Sequence, residues 1–360
     1  MPSFNIVRTT QPSDSFRVKS IAGKFDLDDN HNTELFKGNI ELPEHWNVGL
    51  IVGASGTGKT TIAKELFPDS YVYGYEYKEK SVIDDMPKNL SVDEICKAFN
   101  LVGFSSPPCW IKPYNVLSNG QKMRVDLANA LLSDKEIVVF DEFTSVVDRQ
   151  VAKISSYATQ KAVRKKDKKF IAVGCHYDVE DWLLPDWVFD TNTMTFRIGN
   201  KKKRPDISYT LARVHRKEWD RFSKYHYLSH YHCFPGECYG LFINKELAGF
   251  CSVMQFPHPK LKNLKRVHRL VIHPDYQGLS IGLRLLNDVA KLYAPKFKFG
   301  IITSSPALIQ SLSKSSNWVL INQGRISRGS ASTKGRLHGS KANKTSNSRY
   351  RYTTSWRFKI

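Results

Sequence analysis

Two features common in other protein classes are missing from this sequence. No run of about 18 apolar residues could span a bilayer, although hydrophobic residues make up 41% of the 360 positions. The N-terminus, MPSFNIVRTT, lacks the charged-then-apolar pattern of a secretory signal. We therefore expect a soluble protein without a membrane partner.

Cysteines are few and follow no regular framework. The six of them lack the even spacing of small secreted domains, which favours a reducing cytoplasm, that of the host if a phage encodes the chain. Aromatic residues make up 12% of the chain, as in globular proteins. At 360 residues the chain is about twice the length of a typical domain. We therefore expect two domains, each with its own core.

Acidic residues are absent after Asp288, while Lys and Arg continue to the end, and the formal net charge is +20. A positive field of this size favours a polyanion, and nucleic acid is the commonest one in a cytoplasm. Residues 325–351 alternate Lys or Arg with Ser, Gly, Thr and Asn, which is typical of an arm that neutralises phosphates. We expect nucleic acid as a partner, with DNA favoured; charge that serves solubility alone is the alternative.

A glycine-rich loop follows residues 47–52, an apolar run that predicts a buried strand. Residues 53–60 read GASGTGKT, which fits G-x-x-x-x-G-K-[ST], and TIAKEL after them favours a helix. Such a loop wraps phosphate oxygens with backbone N–H groups, while its Lys reaches the outer phosphates and its Thr ligates Mg²⁺. The predicted ATP-binding residues are Gly53, Ser55, Gly56, Thr57, Gly58, Lys59, Thr60 and Thr61.

Later motifs resemble those of ABC-type ATPases. Residues 117–121 read LSNGQ, similar to the LSGGQ signature with Asn119 in place of the first glycine. Residues 137–142, IVVFDE, are similar to the family's second nucleotide motif, and residues 145–148 to its D-loop. His176, after the apolar residues 170–174, stands where the family keeps its switch histidine. Four motifs in this order indicate an ABC-type domain.

This resemblance implies ATP hydrolysis and a dimer. Asp141 would hold Mg²⁺ through water together with Thr60, Glu142 would orient or deprotonate the attacking water, and His176 would contact the terminal phosphate. Glu142 and His176 are therefore candidate catalytic residues. In the family the signature of one subunit completes the ATP site of another, which implies a head-to-tail homodimer. The signature contacts would come from Ser118, Asn119, Gly120 and Gln121.

Two departures from the family pattern bear on function. The family carries a glutamine between its phosphate loop and signature, but this sequence has no Gln between Gln11 and Gln121. Asp84 is a possible replacement. The segment between the two motifs is short and no membrane-spanning part accompanies it. The short segment without a membrane-spanning part favours the soluble ABC proteins that work on nucleic acids or act as switches over a transporter.

A basic break, residues 201–205 (KKKRP), precedes a new pattern of strands and helices. It predicts an ABC-type ATPase domain over residues 1–200, a linker over 201–207 and a second domain over 208–360. The predicted fold class is α/β throughout. A P-loop domain is followed by a mixed α/β domain with a basic C-terminal segment.

The second domain resembles the GNAT acyltransferases. A hairpin over residues 239–253, a strand over 267–272, a glycine-containing loop and a helix over 283–293 follow one another. Residues 277–282, QGLSIG, match the family's [RQ]-x-x-G-x-[GA] except that Ser280 replaces the central glycine. The resemblance implies that N–H groups at the helix N-terminus receive the pyrophosphate of acetyl-CoA or another acyl donor. The contacts would come from Gln277, Gly278, Ser280 and Gly282.

Acyl transfer needs a base for the acceptor amine and often an acid for the leaving thiolate. His268, on the strand before the loop, has an ordinary pKa near ~6.5 that suits a base at neutral pH. The family's usual tyrosine is missing from residues 307–318, so an acid must come from elsewhere, and Tyr227 is the second catalytic candidate. Residues 226–238 are rich in His and Cys, but their spacing matches no zinc template. An acceptor-binding loop or a packed helix start are the other interpretations.

An aromatic loop could also stack a base flipped out of a duplex. With its divergent acyl-donor loop, its segment rich in His and Tyr and its basic tail, the domain resembles the phage Mom-type DNA-modifying acyltransferases, GNAT relatives that act on adenine. Three hypotheses follow. The first is acyl transfer to nucleic acid timed by ATP hydrolysis; the second is ATP-gated acyl transfer to a protein or small amine; the third is a non-catalytic, nucleic-acid-binding switch.

Overall fold

A computed structural model describes residues 3–9, 13–27, 33–72, 74–199, 207–227, 236–257, 261–325 and 352–359. The helices are α1 (Phe16–Phe25), α2 (Lys59–Leu66), α3 (Val92–Leu101), α4 (Pro107–Trp110), α5 (Asn119–Leu132), α6 (Arg149–Lys166), α7 (Val179–Leu183), α8 (Trp219–Phe222), α9 (Ile281–Tyr293) and α10 (Pro306–Ser313). The strands are β1 (Ser3–Thr9), β2 (Thr33–Asn39), β3 (Val48–Val52), β4 (Tyr71–Val72), β5 (Ile137–Phe140), β6 (Lys169–Gly174), β7 (Trp187–Asp190), β8 (Thr195–Ile198), β9 (Thr210–Arg213), β10 (Glu237–Ile243), β11 (Glu246–Gln255), β12 (Leu264–Ile272), β13 (Lys298–Thr303), β14 (Trp318–Arg325) and β15 (Tyr352–Phe358).

These elements form two compact units, and each unit combines several separate stretches of the chain. Unit 1 comprises residues 1–78, 86–89 and 118–205, and unit 2 comprises residues 79–85, 90–117 and 206–360. Most of the chain between the phosphate loop and the LSNGQ sequence therefore groups with the C-terminal half. The linker predicted over 201–207 falls almost entirely outside the described residues, so the predicted domain boundaries stay a prediction.

Unit 1 is built on a six-stranded sheet in the order β4-β5-β6-β3-β7-β8, parallel except for the β7–β8 pair. All five residues of β3 are buried, as expected of a parallel strand covered on both faces. Because parallel strands end at one edge, the residues that follow β3, β5 and β6 come to the same edge of the sheet. The phosphate loop, Asp141 and His176 all follow these strands directly.

Unit 2 is built on a seven-stranded sheet in the order β14-β15-β13-β12-β11-β10-β9. Its neighbours are antiparallel except for β12 and β13, which pair in parallel only from Leu264–Lys298 to Val267–Ile301. Beyond Val267, β12 pairs with β11 alone, while β13 beyond Ile301 continues on β15. The two central strands therefore part at their carboxyl ends and leave an opening in the sheet.

Helix α9 connects these two strands. Its apolar face packs on the sheet, with Leu285, Leu286 and Val289 fully buried. Apolar residues at helical spacing explain this packing. The helix begins directly after the loop of residues 277–280, so its N-terminus lies beside the end of β12.

The basic stretch lies between two neighbouring strands. Strand β14 pairs with β15 in antiparallel fashion from Trp318–Phe358 to Arg325–Tyr352, so residues 326–351 connect the paired ends. They carry seven Lys or Arg and no Asp or Glu. Strand β15 in turn pairs with β13 up to Thr354–Thr303. The described ends of β14 and β15 that flank residues 326–351 in the sequence therefore lie at the carboxyl end of β13.

Among the described residues, no helix is both long and apolar enough to cross a membrane.

Candidate functional sites

The phosphate loop connects β3 to α2 and takes a shape that glycine permits. Gly56 and Gly58 have φ angles of +84° and +78°, in the left-handed region. At Gly53 a Cβ atom would lie 2.1 Å from the Thr191 hydroxyl oxygen. The loop therefore depends on these glycines for conformation and for close packing.

Side chains from the turn after β7 support this loop. The hydroxyl oxygens of Thr57 and Thr191 are 2.6 Å apart, and the Ala54 N–H donates to Asn192 Oδ1 at 3.0 Å. Sequence reasoning missed Thr191 and Asn192, since no motif marks them. They prepare the loop for a ligand by fixing its backbone before binding.

Lys59 and Thr60 lie where the predicted ATP chemistry needs them. Lys59 Nζ donates to Ala54 O at 2.6 Å, within the loop itself. Thr60 Oγ1 donates to Asp141 Oδ2 at 2.7 Å, which brings the two predicted Mg²⁺ residues together across the sheet edge. Hydroxyl and carboxylate oxygens are the ligands that Mg²⁺ prefers. These residues fit a magnesium nucleotide.

Tyr71 is a further polar group at this site. Its hydroxyl also donates to Asp141 Oδ2. Burial, followed by this hydrogen bond, raises the pKa of Tyr71 well above its ordinary value. Tyr71 therefore remains a proton donor that orients the carboxylate, and sequence reasoning missed it because the β4 strand that carries it is only two residues long.

Glu142 is exposed and has an unusual backbone conformation. Its φ is +52°, and its N–H donates to Asp141 Oδ1 at 2.8 Å. A non-glycine residue in the left-handed region costs about 1–3 kcal/mol and occurs preferentially at functional sites. This geometry supports the catalytic interpretation of Glu142. His176, the other candidate, is half-buried just beyond β6.

The signature residues start helix α5. Ser118 is the N-cap: its hydroxyl accepts the Gln121 N–H at 3.4 Å, and the Gln121 side chain accepts the Ser118 N–H at 3.1 Å. This capping box buries Gln121 and Gly120, while Ser118 and Asn119 are exposed. An exposed helix N-terminus of this kind can receive an anion.

Asp84, the possible substitute for the missing glutamine, lies in unit 2. It is exposed and accepts a hydrogen bond from the Ser81 hydroxyl within a tight turn. Its predicted role in the ATP site stays a prediction.

The predicted acyl-donor loop has the backbone shape that glycines normally provide. Gly278 has φ +93°, and Ser280 has φ +60° as the N-cap of α9. A left-handed L-residue costs about 1–2 kcal/mol, so the surrounding fold imposes this conformation on Ser280. The loop thus keeps an N–H-lined helix start despite the serine, and it fits the pyrophosphate of a coenzyme A thioester.

Gln277 has a different environment from the other loop residues. Its Nε2 donates to Ile272 O at 3.0 Å, and its Oε1 accepts the Ser105 N–H at 2.7 Å. Its own N–H donates to Pro274 O at 3.2 Å. The polar groups of Gln277 therefore contact protein backbone, which indicates that this residue positions the loop; its predicted contact with the acyl donor stays a prediction.

His268 occupies a β-bulge. In the β11–β12 ladder Ser252 pairs with Arg269 and Val253 with Val267, which leaves His268 as the extra residue. A bulge redirects side chains, and this one lies where β12 separates from β13. The half-buried His268 is therefore at the opening in the sheet.

Tyr227 contacts the chain at the end of β13. Its hydroxyl accepts the Ser304 N–H at 3.2 Å, immediately after β13. Its ring stacks on His226, with centroids 5.0 Å apart. The structure thus places Tyr227 at the carboxyl end of β13 and His268 at the middle of β12, where β12 parts from β13.

The predicted His/Cys cluster is mostly outside the described residues, which omit 228–235. Its described members, His226 and Cys238, are packed in the protein interior. His226 is buried edge-on to Trp219, with centroids 5.5 Å apart, and burial raises the pKa of the Cys238 thiol. In the part of the chain that the structure describes, no group of three or more His, Cys, Asp or Glu could hold a metal ion.

Comparisons with known proteins match both halves of the motif pattern. Residues 206–303 match the family profile described as the acetyltransferase (GNAT) family. The chain is 30% identical over 195 residues to the lactococcin-G-processing and transport ATP-binding protein LagD of Lactococcus lactis, a match that covers 40% of this chain and 27% of that protein. It is 27% identical over 177 residues to the energy-coupling factor transporter ATP-binding protein EcfA1 of Mycoplasmopsis synoviae, covering 38% of this chain and 65% of that protein.

The chain thus spans about a quarter of the length of the first relative and just under two thirds of the second. Among solved structures, the dimeric structure of a bacterial ABC transporter cassette matches 52% of this chain and 92% of its own length. The identity is 14% and the TM-score is 0.38.

Proposed function

Since the chain combines an ABC-type ATPase domain with a C-terminal GNAT acetyltransferase domain, we propose that it is an ATP-hydrolysing acyltransferase that acts on nucleic acid. The proposed acceptor is a base in DNA, as in the Mom-type enzymes that the second domain resembles. ATP-driven homodimerisation would control how the protein engages its substrate.

The position of the basic stretch carries this proposal. Residues 326–351, with seven positive and no negative side chains, join strands whose shared end lies at the carboxyl end of β13. Tyr227 and the acyl-donor loop lie at this same end of the sheet, and His268 lies where β12 parts from β13. Positive charge attracts phosphates by releasing their counterions. A polyanion held there would present its acceptor to the acyltransferase residues.

The ATP half would work through residues already in place. Lys59 and the loop N–H groups would hold the phosphates, and Thr60 with Asp141 would hold Mg²⁺. Magnesium would neutralise phosphate charge during hydrolysis. Glu142 would orient the attacking water, and Ser118 and Asn119 would act in the partner's site of a homodimer.

The acyl half would transfer a group activated as a thioester, which acetyl-CoA supplies when bound. His268 would take the proton of the acceptor amine, and the Tyr227 hydroxyl would give a proton to the departing sulfur. The Ser304 N–H that Tyr227 accepts leaves the hydroxyl hydrogen available for donation. The parting of β12, which carries His268, from β13, whose end Tyr227 contacts, would provide space for the reactants.

ATP hydrolysis and acyl transfer can be tested together. We expect duplex DNA to stimulate hydrolysis in the full chain, and labelled acetyl groups to pass from acetyl-CoA to DNA. Glu142→Gln should abolish the first activity, and His268→Gln the second. Label in an added protein or amine with no response to DNA would favour the second hypothesis, and stimulation without any label would favour the switch.

Salt dependence tests the basic stretch directly. Changing Lys341 and Lys344 to Ser removes two charges, so the slope of log affinity for DNA against log salt should fall by up to about 2. The control changes Lys19 and Lys37, exposed residues of unit 1, in the same way. Equal effects of the two pairs would contradict a role for residues 326–351.

A further inference from the structure

A segment that precedes the signature packs on the acyl-donor loop. Residues 103–106 follow helix α3 and belong to unit 2 together with residues 277–282. They are more than 170 positions away from that loop in the sequence. Two contacts show how closely the two backbones approach each other.

The first contact is at Gly103, which has φ +83°. A Cβ atom at this position would lie 2.7 Å from the Gln277 carbonyl oxygen and 3.3 Å from the Gly278 nitrogen. Contacts below 3.0 Å to backbone atoms cannot be relieved by a side-chain movement. Only glycine therefore permits this approach to the loop.

The second contact is the Gln277 side chain. It joins the Ser105 N–H, at 2.7 Å, to the Ile272 carbonyl at the end of β12, at 3.0 Å. A single amide thus ties the loop to its own strand and to the preceding segment. Neighbouring Ser106 adds a hydrogen bond from its hydroxyl to Tyr225 O at 3.1 Å.

The segment is itself well supported. Trp110 Nε1 donates to Phe104 O at 2.7 Å, and the Phe99 and Phe104 rings meet edge to face with centroids 5.2 Å apart. A capping box of Ser91 and Glu94 starts helix α3. Packed aromatic rings resist local deformation, so these contacts hold the segment in one arrangement.

The chain continues from this segment to the signature. Residues 111–117 lead directly to Ser118, the N-cap of α5. If the signature binds nucleotide as proposed, a movement of the signature would displace the preceding segment, whose other end contacts the acyl-donor loop. Coupling of this kind requires an element that both ligands bias.

We infer that Gln277 is a positioning residue and that residues 103–106 link the acyl-donor loop to the nucleotide state of the signature. ATP binding then changes the affinity for acyl-CoA, and acyl-CoA changes the affinity for ATP by the same factor. This inference rests on the proposed function for its two ligands. Typical coupling factors are about 5–150-fold.

Hydrogen exchange of the full chain tests the link without requiring acyl-CoA. We expect AMP-PNP to change the exchange rates of amides in residues 277–284 at least about fivefold, and to leave them unchanged in Lys59→Ala, which lacks the phosphate-loop lysine. A protected phosphate loop with unchanged exchange in residues 277–284 would overturn the inference. Acetyl-CoA binding measured separately reports on the proposed function, so the two can fail independently.

Matched glycine variants locate the link. Gly103→Ala should remove the response of residues 277–284, because its Cβ displaces the Gln277–Gly278 peptide. Gly74→Ala is the control, since Gly74 also has a positive φ, +67°, but has nothing within 4 Å of its added Cβ. A response of wild-type size in Gly103→Ala would overturn the inference.

If Gly103→Ala does not fold, Gln277→Met provides a second test of the link. It keeps the side-chain volume but removes both hydrogen bonds. The KM for acetyl-CoA should then lose its dependence on ATP, whereas Gly74→Ala should keep that dependence. A fall in kcat with the ATP dependence of KM intact would contradict a positioning role.

Discussion

The phosphate loop and the acyl-donor loop hold a similar backbone conformation with different residues and different supporting contacts. Each connects a strand to a helix and is predicted to offer N–H groups to a phosphate. The first has glycine at its left-handed positions 56 and 58 and is supported by Thr191 and Asn192 from the turn after β7. The second has Ser280 at a left-handed position and is supported by backbone from residues 103–106.

The difference shows that a left-handed backbone conformation can be provided either by glycine in the local sequence or by contacts from the surrounding fold. Where glycine is present, the conformation costs little and the loop motif is recognisable by itself. Where serine is present, the fold must impose the conformation. Both loops have support from distant parts of the chain, but only Ser280 needs the fold to hold a conformation that its side chain disfavours.

The largest expected effect separates the two chemistries. Glu142→Gln should lower kcat for ATP hydrolysis about 10²–10⁴-fold, because an amide cannot take a proton. ATP affinity and acetyl-CoA affinity should change little, as measured by calorimetry. The control is Glu136→Gln, an exposed acid at the start of β5 that pairs with Lys169. Equal loss of activity in both variants would contradict the assignment.

Alanine at one glycine of each loop tests how tightly each loop is packed. Gly53→Ala should cost about 1–3 kcal/mol of unfolding free energy and weaken ATP binding, because its Cβ would lie 2.1 Å from the Thr191 hydroxyl. Gly282→Ala should be tolerated, since its Cβ meets only Ile272, at 3.5 Å. Urea unfolding measures the stability of the two variants, and nucleotide titration measures their ATP affinity. Equal destabilisation of Gly53→Ala and Gly282→Ala would refute the packing argument.

Asp186 is a titratable side chain that binds the start of β3, the strand before the phosphate loop. Burial raises the pKa of this carboxyl, but hydrogen bonds from Arg164 and from the Asn47 and Val48 N–H groups outweigh it, so the pKa is below its ordinary value. A lowered pKa means that this stabilisation is present above the unfolded pKa, near ~3.9, and is lost as the pH falls through the folded value.

Asp186→Asn should therefore lower the unfolding free energy at pH 7 by about 1–3 kcal/mol, typical of hydrogen bonds to charged groups. The difference from wild type should shrink as the pH falls below about 4. Urea titrations at several pH values measure this. A difference that grows on acidification would show that the sign is wrong.

The smallest effect concerns Ser280. Glycine at this position should stabilise unit 2 by up to about 1 kcal/mol, since relief of left-handed strain is partly offset by greater freedom of the unfolded chain. Acetyl-CoA affinity should not fall. Thermal unfolding measures the gain, with Ser313→Gly, at the end of α10, as a control that should destabilise. A loss of stability in Ser280→Gly would mean that the fold does not strain this residue.

The elements that carry the predicted ATP-site residues were predictable, because each motif is local in sequence. The strand, loop and helix around Lys59 and the strand before Asp141 appear as predicted, and the ABC and GNAT assignments are confirmed. The roles of Glu142, His176, His268 and Tyr227 stay predictions. Tyr71, Thr191 and Asn192 were missed, because each contacts its partner across the sheet and no periodic pattern records such contacts.

The sequence alone determined the order of the motifs, the two families and the uneven charge, because these properties depend on residue identity and spacing along the chain. Only the tertiary structure decided that Gln277 contacts Ser105, that His268 is on a bulge, and that residues 326–351 join two strands of the sheet. Strand register and long-range packing decide such facts. They depend on which distant segments bury apolar surface together, and no local stretch of sequence specifies that choice.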